Sequence, residues 1–366
     1  MRPLTPQNIT DLVPYRPGKP IEQVRRELGL DNIIKLASNE NSFGPSPLAV
    51  QAACDSLQQI HRYPDIGGPE LRRELADRFA VKPDNVIIGS GSEGIMANII
   101  RTFLFDDEEV LTSAGSFIGI YVLANSRGVK LRQIPLRNYA YDLVAIAEAI
   151  SPRTKIIYLA NPNNPTGSSF SRADFEHFYQ QVPKNVLVIM DEAYFEFAAE
   201  LPDYPDSMQY RYDNVITLRT FSKAYGLAGI RIGYGLAEES LISSLMKVKL
   251  PFEPSIPAQA AGIAALKDQA FLDKVLANNR QELPRIIEEL RALDLQVLYS
   301  TANFLTIVFA DEKKVDEVQD FMLHQGVILR PLQAFGLPHC LRITVGKPEE
   351  NDRFLTEMRN FFSKKQ

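Results

Sequence analysis

Cysteine is nearly absent: Cys54 and Cys340 are the only two in 366 residues, and they lie far apart without metal-ligand spacing. That excludes a disulfide framework and a cysteine-based metal site, so no metal is expected and a reducing, cytoplasmic setting is the simplest one. No apolar run approaches the ~20 residues that a membrane helix needs. The first residues, MRPLTPQNITDLVPYRPGKP, lack the apolar core of a signal peptide, so neither secretion nor membrane insertion is expected. A basic excess is missing as well: 45 acids stand against 40 bases, for a net charge of −5, and no basic run, Lys364-Lys365 included, exceeds two residues. A nucleic-acid partner is therefore excluded. There is no internal repeat, low-complexity segment or linker rich in Ser and Gly. What remains, 45% hydrophobic and 23% charged residues, is ordinary globular composition in a chain long enough for two packed units.

Prolines at 3, 6, 14, 17 and 20 predict a non-helical arm, extended against another surface. Ile21 to Leu30 has helical spacing, Ile33 to Leu36 reads as a short strand, and Ser38 to Pro45 (SNENSFGP) reads as a capping turn ahead of a helix from Pro47. From Val86 to Ile134 the chain alternates apolar strand, glycine turn and helix, the signature of βα units and a mostly parallel sheet. Thr154 to Ala160 and Asn185 to Met190 are two further buried strands, running into Asn161-Pro162-Asn163-Asn164-Pro165-Thr166-Gly167 and Asp191-Glu192-Ala193-Tyr194. After Ala237 helices dominate, followed by a smaller α/β unit with strands LQVLYS, NFLTIVF, GVILRPL and CLRITVG. The expected division is an N-terminal arm plus part of a small domain over 1–45, a large domain over 46–265, and the C-terminal part of the small domain over 266–366.

The run NVITLRTFSKAYGLAGIRIGYGLA, residues 214–237, organises the rest. Its apolar strand delivers Ser222 and Lys223 into a turn, and Gly226 and Gly229 let the backbone fold tightly before Arg231. A lysine there can be desolvated and crowded by another cation, which lowers its pKa and frees its amine for Schiff-base chemistry. Gly89 to Gly94 (GSGSEG) sits where a strand enters a helix, a natural anion site. No acid suited to a ribose ends a second strand, which disfavours a dinucleotide. Taken singly, each feature also has a plain structural reading: NPNNPTG as a turn, Asp191 as a loop cap, GSGSEG as a helix-closing turn. Together, Asn164, Asp191 and Lys223 each follow the end of a different strand, where an open α/β sheet places its ligand.

With NPNNPTG, DEAY and TFSKAYGLAGIRIGY in one order, the chain resembles the fold-type I pyridoxal-phosphate-dependent aminotransferases. Within them it looks most similar to the histidinol-phosphate aminotransferases, from LVPYRPGKPIEQV through SNENSFGPSP and HRYPDIGGPELR to LRITVGKPEEN. The resemblance implies an α/β fold with a seven-stranded, mostly parallel sheet between helices in a large domain, plus a small α/β domain. It also implies a homodimer acting on small molecules, with pyridoxal 5'-phosphate as cofactor.

It implies roles residue by residue. Lys223 would hold the cofactor covalently and move the α-proton, Asp191 would face the pyridine nitrogen, and Asn164 and Tyr194 would bond the ring's phenolic oxygen. Phe117 would stack on the ring, where relatives often have tyrosine. Gly91, Ser92, Ser222 and Arg231 would hold the phosphate, with Tyr63 reaching in from a second subunit. Arg342, Arg330, Tyr15 and Asn164 would contact substrate. Two departures stand out: Pro251-Phe252-Glu253-Pro254-Ser255 replaces a tyrosine followed by Asn-x-Asn, and GSGSEG lacks the aspartate common in the phosphate loop. Three activities stay open at this point. They are amino transfer between L-histidinol phosphate and 2-oxoglutarate in histidine biosynthesis, an aromatic (phenylalanine) transaminase with Phe252 and Phe335 in the pocket, and a lyase of the threonine-phosphate decarboxylase kind.

Overall fold

The computed structural model describes residues 3–14, 18–209 and 211–363. In chain order its strands are β1 (Ile34–Lys35), β2 (Val86–Gly89), β3 (Glu109–Ser113), β4 (Lys130–Ile134), β5 (Thr154–Ala160), β6 (Leu187–Asp191), β7 (Val215–Thr220), β8 (Gly233–Leu236), β9 (Gln296–Val297), β10 (Phe304–Val308), β11 (Val327–Ile328), β12 (Arg330–Pro331) and β13 (Cys340–Thr344). Seven of them form one sheet in the order β2-β8-β7-β6-β5-β3-β4, four form a second, β12-β13-β10-β9, and β1 pairs with β11. Among the described residues of the large sheet, only β8 runs against its neighbours. This is the α/β architecture with a seven-stranded, mostly parallel sheet that the sequence predicts.

The inner parallel strands are buried because both of their faces are covered, while the edge strand β4 stays polar and partly exposed. One face packs Ile87, Ile156, Ile189, Ile216 and Leu218 under the helices Gly91–Phe103, Ile118–Arg127 and Glu239–Val248. The other packs Leu111, Ile157, Leu159, Val188 and Met190 against Phe175 and Phe178 of the helix Arg172–Tyr179. The four-stranded sheet has its own core of Leu305, Ile307, Leu341, Ile343, Phe354 and Met358. The helix Gln269–Arg291 joins the two cores: Leu272 near its start belongs to the cluster of Leu71 and Ile232, while Leu283 to Leu290 belong to the small sheet.

The arm differs from the expectation. Gln7–Thr10 forms one helical turn, because Pro6 sits at the N-cap, where a proline costs nothing, and no proline intervenes before Pro14. That turn is tied to its own chain: Asn8 Nδ2 donates to the carbonyls of Asn125 (3.2 Å) and Ser126 (3.0 Å) at the end of the helix Ile118–Arg127. Tyr15 lies outside the described residues.

Side chains alternate across the sheet, so consecutive acids diverge. Asp191 ends β6 on the face of Ile189, whereas Glu192 turns to meet Arg219 of β7. Arg219 is fully buried, donates Nε and Nη2 to Glu192 Oε2 (2.9 and 2.7 Å), and gives a further bond to Asp206 at 2.7 Å. Its guanidinium lies 3.3 Å from the Phe195 ring centre. Removing one partner of a buried pair leaves the other charged and unsolvated, at a cost of ~3–5 kcal/mol. Arg219→Met is therefore expected to lower Tm by several degrees in calorimetry. Lys82→Ala, which breaks the exposed pair with Glu239, should leave it unchanged, and an equal effect of the two would contradict this account.

Candidate active site at the C-terminal edge of the large sheet

The ends of β5, β6 and β7 and the loop after β2 open onto one cavity of about 230 Å³. Its walls include Ser38, Gly91, Ser92, Phe117, Tyr158, Asn164, Asp191, Tyr194, Thr220, Ser222, Lys223 and Arg231. All residues that the sequence assigns to the cofactor gather here except Tyr63.

Lys223 leaves β7 through a tight turn, with Gly226 N–H donating to Lys223 O (3.0 Å) and Leu227 N–H to Phe221 O (2.9 Å). Gly226 has φ +71°, and a Cβ there would lie 2.1 Å from the Gly44 carbonyl oxygen, so only glycine fits. The SNENSFGP loop thus braces the lysine turn, and Asn41 Nδ2 adds a bond to Ala224 O at 2.9 Å. Lys223 Nζ reaches the Ser38 carbonyl at 3.4 Å and sits 5.6 Å from the Tyr194 ring centre. Burial, then the Arg342 and Arg231 guanidinium groups, push this amine down to about 8, against a smaller opposing pull from Glu40 and Asp191.

Asp191 pairs with Ala160 across the sheet, and Tyr158, two residues back on the same face, donates to Asp191 Oδ2 at 2.7 Å. The Ala193 N–H donates to Oδ1 at 3.2 Å. Burial raises this carboxyl to about 6, and the two donors hold it from rising further. Tyr194 is buried, and its hydroxyl accepts from Asn39 Nδ2 at 2.8 Å. Asn164 accepts from Arg342 Nη1, while Arg342 Nη2 donates to Ala37 O at 2.8 Å.

The anion cradle is a helix N-terminus. Gly91 (φ +78°) and Ser92 begin the helix Gly91–Phe103, facing Ser222 and Arg231. Two glycines make it possible: a Cβ on Gly91 would sit 2.7 Å from Arg231 Nη2, and one on Gly233 would sit 2.5 Å from Ser92 N. Arg231 adopts left-handed backbone (φ 57°) and is steadied by Ala228 O at 3.2 Å. Glu93 approaches Arg231 only at 3.9 Å.

These groups fit a phosphorylated pyridine aldehyde by chemistry. An amine of lowered pKa suits a carbonyl, a buried carboxylate suits a ring nitrogen, the cradle suits a phosphate, and Phe117 offers a ring face. Three contributors escaped the sequence reading. The sequence marks Tyr158 only as part of a buried strand, although its spacing from Ala160 puts it on the Asp191 face. Ser38 and Asn39 belong to a loop read as a capping turn; the cap is Ser46, which accepts from Ala49 N at 3.2 Å.

Other expected residues lie elsewhere in this chain. Tyr63 is exposed and stacks on Phe252 at 4.2 Å between ring centres. Neither Phe252 nor Phe335 lines the cavity. Glu253 accepts from Ser90 Oγ at 2.9 Å, at the N-cap of the cradle helix. Arg330 is buried on β12 directly opposite Arg342 on β13.

The family model for aminotransferase class I and II matches residues 31–358. The histidinol-phosphate aminotransferase of Anaeromyxobacter sp. (strain Fw109-5) is 44% identical over 359 residues, covering 97% of this chain and 98% of that protein. Histidinol-phosphate aminotransferase 2 of Haemophilus influenzae (strain 86-028NP) is 39% identical, covering 96% of each. The crystal structure of histidinol-phosphate aminotransferase from Sinorhizobium meliloti in complex with pyridoxal-5'-phosphate aligns with a TM-score of 0.90 at 28% identity, covering 100% of this chain and 99% of that one.

Because only the unprotonated amine reacts with electrophiles, acylation of Lys223 in the cofactor-free protein should rise with pH through a midpoint near 8. Arg342→Ala removes a neighbouring cation and should move that midpoint upward. Site-resolved mass spectrometry after trinitrobenzenesulfonate treatment measures both, and a midpoint at the ordinary lysine value of ~10.4 would refute the crowding argument.

Proposed function

The chain belongs to the class I and II aminotransferases, and from that membership we propose that it moves an amino group between L-histidinol phosphate and 2-oxoglutarate, on pyridoxal 5'-phosphate, as a step of histidine biosynthesis. The observation that carries the substrate choice is the pair of buried arginines, Arg330 and Arg342, directly opposite each other on β12 and β13, with Arg342 bonded to the cavity residue Asn164. Two adjacent guanidinium groups suit a phosphate better than a single carboxylate.

Bound in the cavity, the cofactor supplies a carbonyl for the amino group and a ring that takes up the electron pair left at the α-carbon. Everything else falls to this chain. The Lys223 amine, kept nucleophilic by burial and neighbouring cations, holds the cofactor and later takes the α-proton on Nζ. Asp191 presents its charge to the ring nitrogen and keeps it protonated; a cation there favours the ionised carboxylate over the burial that raises it. Tyr194 and Asn164 would bond the cofactor's phenolic oxygen, Phe117 would cover a ring face, and Gly91, Ser92, Ser222 and Arg231 would hold its phosphate. Arg342 takes the anion that both substrates share, while Arg330 and Tyr15 read the substrate phosphate.

A homodimer in the cytoplasm completes the proposal, with the large domain over 46–265 and the small domain drawn from 1–45 and 266–366. Supporting it, Tyr63, Ile66, Leu250 and Phe252 are all exposed. They sit on two loops joined by Lys249 Nζ, which donates to the carbonyls of Ile66 (3.4 Å) and Glu253. Such an apolar patch suits a second copy, whose phosphate site Tyr63 would complete. No helix among the described residues is long and apolar enough to cross a membrane.

Losing a charged hydrogen bond costs ~1.5–3 kcal/mol, so Arg330→Ala should weaken histidinol phosphate about ten- to a hundredfold in its half-reaction and glutamate less. Arg342→Ala should harm both half-reactions. Single-turnover absorbance decides: a wild type that reacts faster with phenylalanine than with histidinol phosphate is an aromatic transaminase. Sedimentation tests the assembly, for which a fully active monomer is the contrary result.

A further inference from the structure

Six side chains form one run of cations and rings, from the reacting amine to the edge of the small sheet. Lys223 Nζ lies 5.6 Å from the Tyr194 ring centre, and Tyr194 meets Phe304 edge-on at 5.2 Å between centres. The Arg342 guanidinium carbon is 5.2 Å from Phe304 and 5.9 Å from Phe335, and Phe335 in turn lies 5.8 Å from the Arg330 guanidinium carbon.

The last three members carry a physical conflict. Arg330 and Arg342 face each other across an antiparallel pair, and both are buried. Like charges directly opposite on a sheet repel, the more so when desolvated. A ring within ~6 Å of both guanidinium groups offsets part of that repulsion through its electron-rich face. Phe335 is held in place to do so. It ends a tight turn, Gln333–Phe335, between β12 and β13, its N–H donates to Leu332 O at 2.9 Å, and it is buried among Leu332, Leu337 and Cys340.

We infer that Phe335 is a positioning residue for specificity: its ring holds the Arg330 and Arg342 guanidinium groups at the spacing that lets both grip one phosphate dianion, whereas a carboxylate needs Arg342 alone. The inference rests on the phosphate-substrate reading above. It assigns a role to an aromatic residue that does not line the cavity, and so separates phosphate recognition from the cofactor contacts.

The test is a comparison of holoenzymes. Phe335→Met keeps volume and apolarity but lacks the ring face. It should raise KM for histidinol phosphate about tenfold, with kcat and the KM for glutamate each within twofold of wild type. Phe335→Tyr, which restores the ring, should return the KM for histidinol phosphate to within twofold. An unchanged KM in Phe335→Met, a parallel rise for both substrates, or failure of Phe335→Tyr to rescue overturns the inference. If wild type does not turn over histidinol phosphate, the proposed function falls. The positioning role is then judged by calorimetric titration of the holoenzymes with inorganic phosphate: about tenfold weaker binding to Phe335→Met than to wild type and Phe335→Tyr upholds it, and equal or absent binding overturns it.

Discussion

Lys223 and Arg231 line one cavity, Arg342 reaches it through Asn164, and the acids that answer these three cations are Asp191, Glu40 and Glu93. Burying charge is expensive unless it is paired or shared among donors and acceptors. Here cations and acids are equal in number, but the reacting amine is buried and its strongest charged neighbour is the Arg342 guanidinium. Burial first, and the Arg342 cation second, lower the proton affinity of the Lys223 amine, which makes that amine a nucleophile. The surrounding structure bears the strain through carbonyls and rings. Ala37 and Ser38 accept from Arg342 and Lys223, Ala228 accepts from Arg231, and Phe304 and Phe335 lie against Arg342.

The same sheet keeps a second charge cluster out of the chemistry. Asp191 and Glu192 are neighbours in sequence, yet the two-residue period of a strand sends them to opposite sides. Asp191 is left facing the cavity with hydrogen-bond donors from Tyr158 and Ala193, and burial raises it. Glu192 is consumed by Arg219 and by the Ser207 N–H at 3.0 Å. One acid faces the cavity, while the other ties β6 to β7 and so fixes where the first one points.

Between the two sheets, the loop Asn161 to Gly167 is fastened from the small side. Thr306 Oγ1 donates to Pro165 O at 2.7 Å, Thr301 N–H donates to Gly167 O at 3.0 Å, and a Cβ on Gly167 would collide with Ser300. Asn164 is therefore held by residues of both sheets. Arg342 on the small sheet is thereby placed in register with the cavity residues at the edge of the large one.

The residues that the sequence by itself determined are those whose position follows from local pattern. Short apolar runs ending in Asn-Pro, Asp-Glu and Ser-Lys predict strands whose last residues share one edge, and in a parallel sheet all such edges coincide. That is why Asn164, Asp191, Ser222 and Lys223 meet, and why Gly226 was legible as a tight approach, whereas Gly229, expected to serve the same turn, has open space around it. Tertiary structure alone decided the rest. Which carbonyl the arm finds, that Asn39 bonds Tyr194, that Tyr158 donates to Asp191 and that Phe335 reaches two arginines depend on partners as many as 305 positions away in the case of Asn39 and Thr344. Strand register and turn geometry set such contacts, and neither periodicity nor composition along the chain encodes which distant residue will stand opposite.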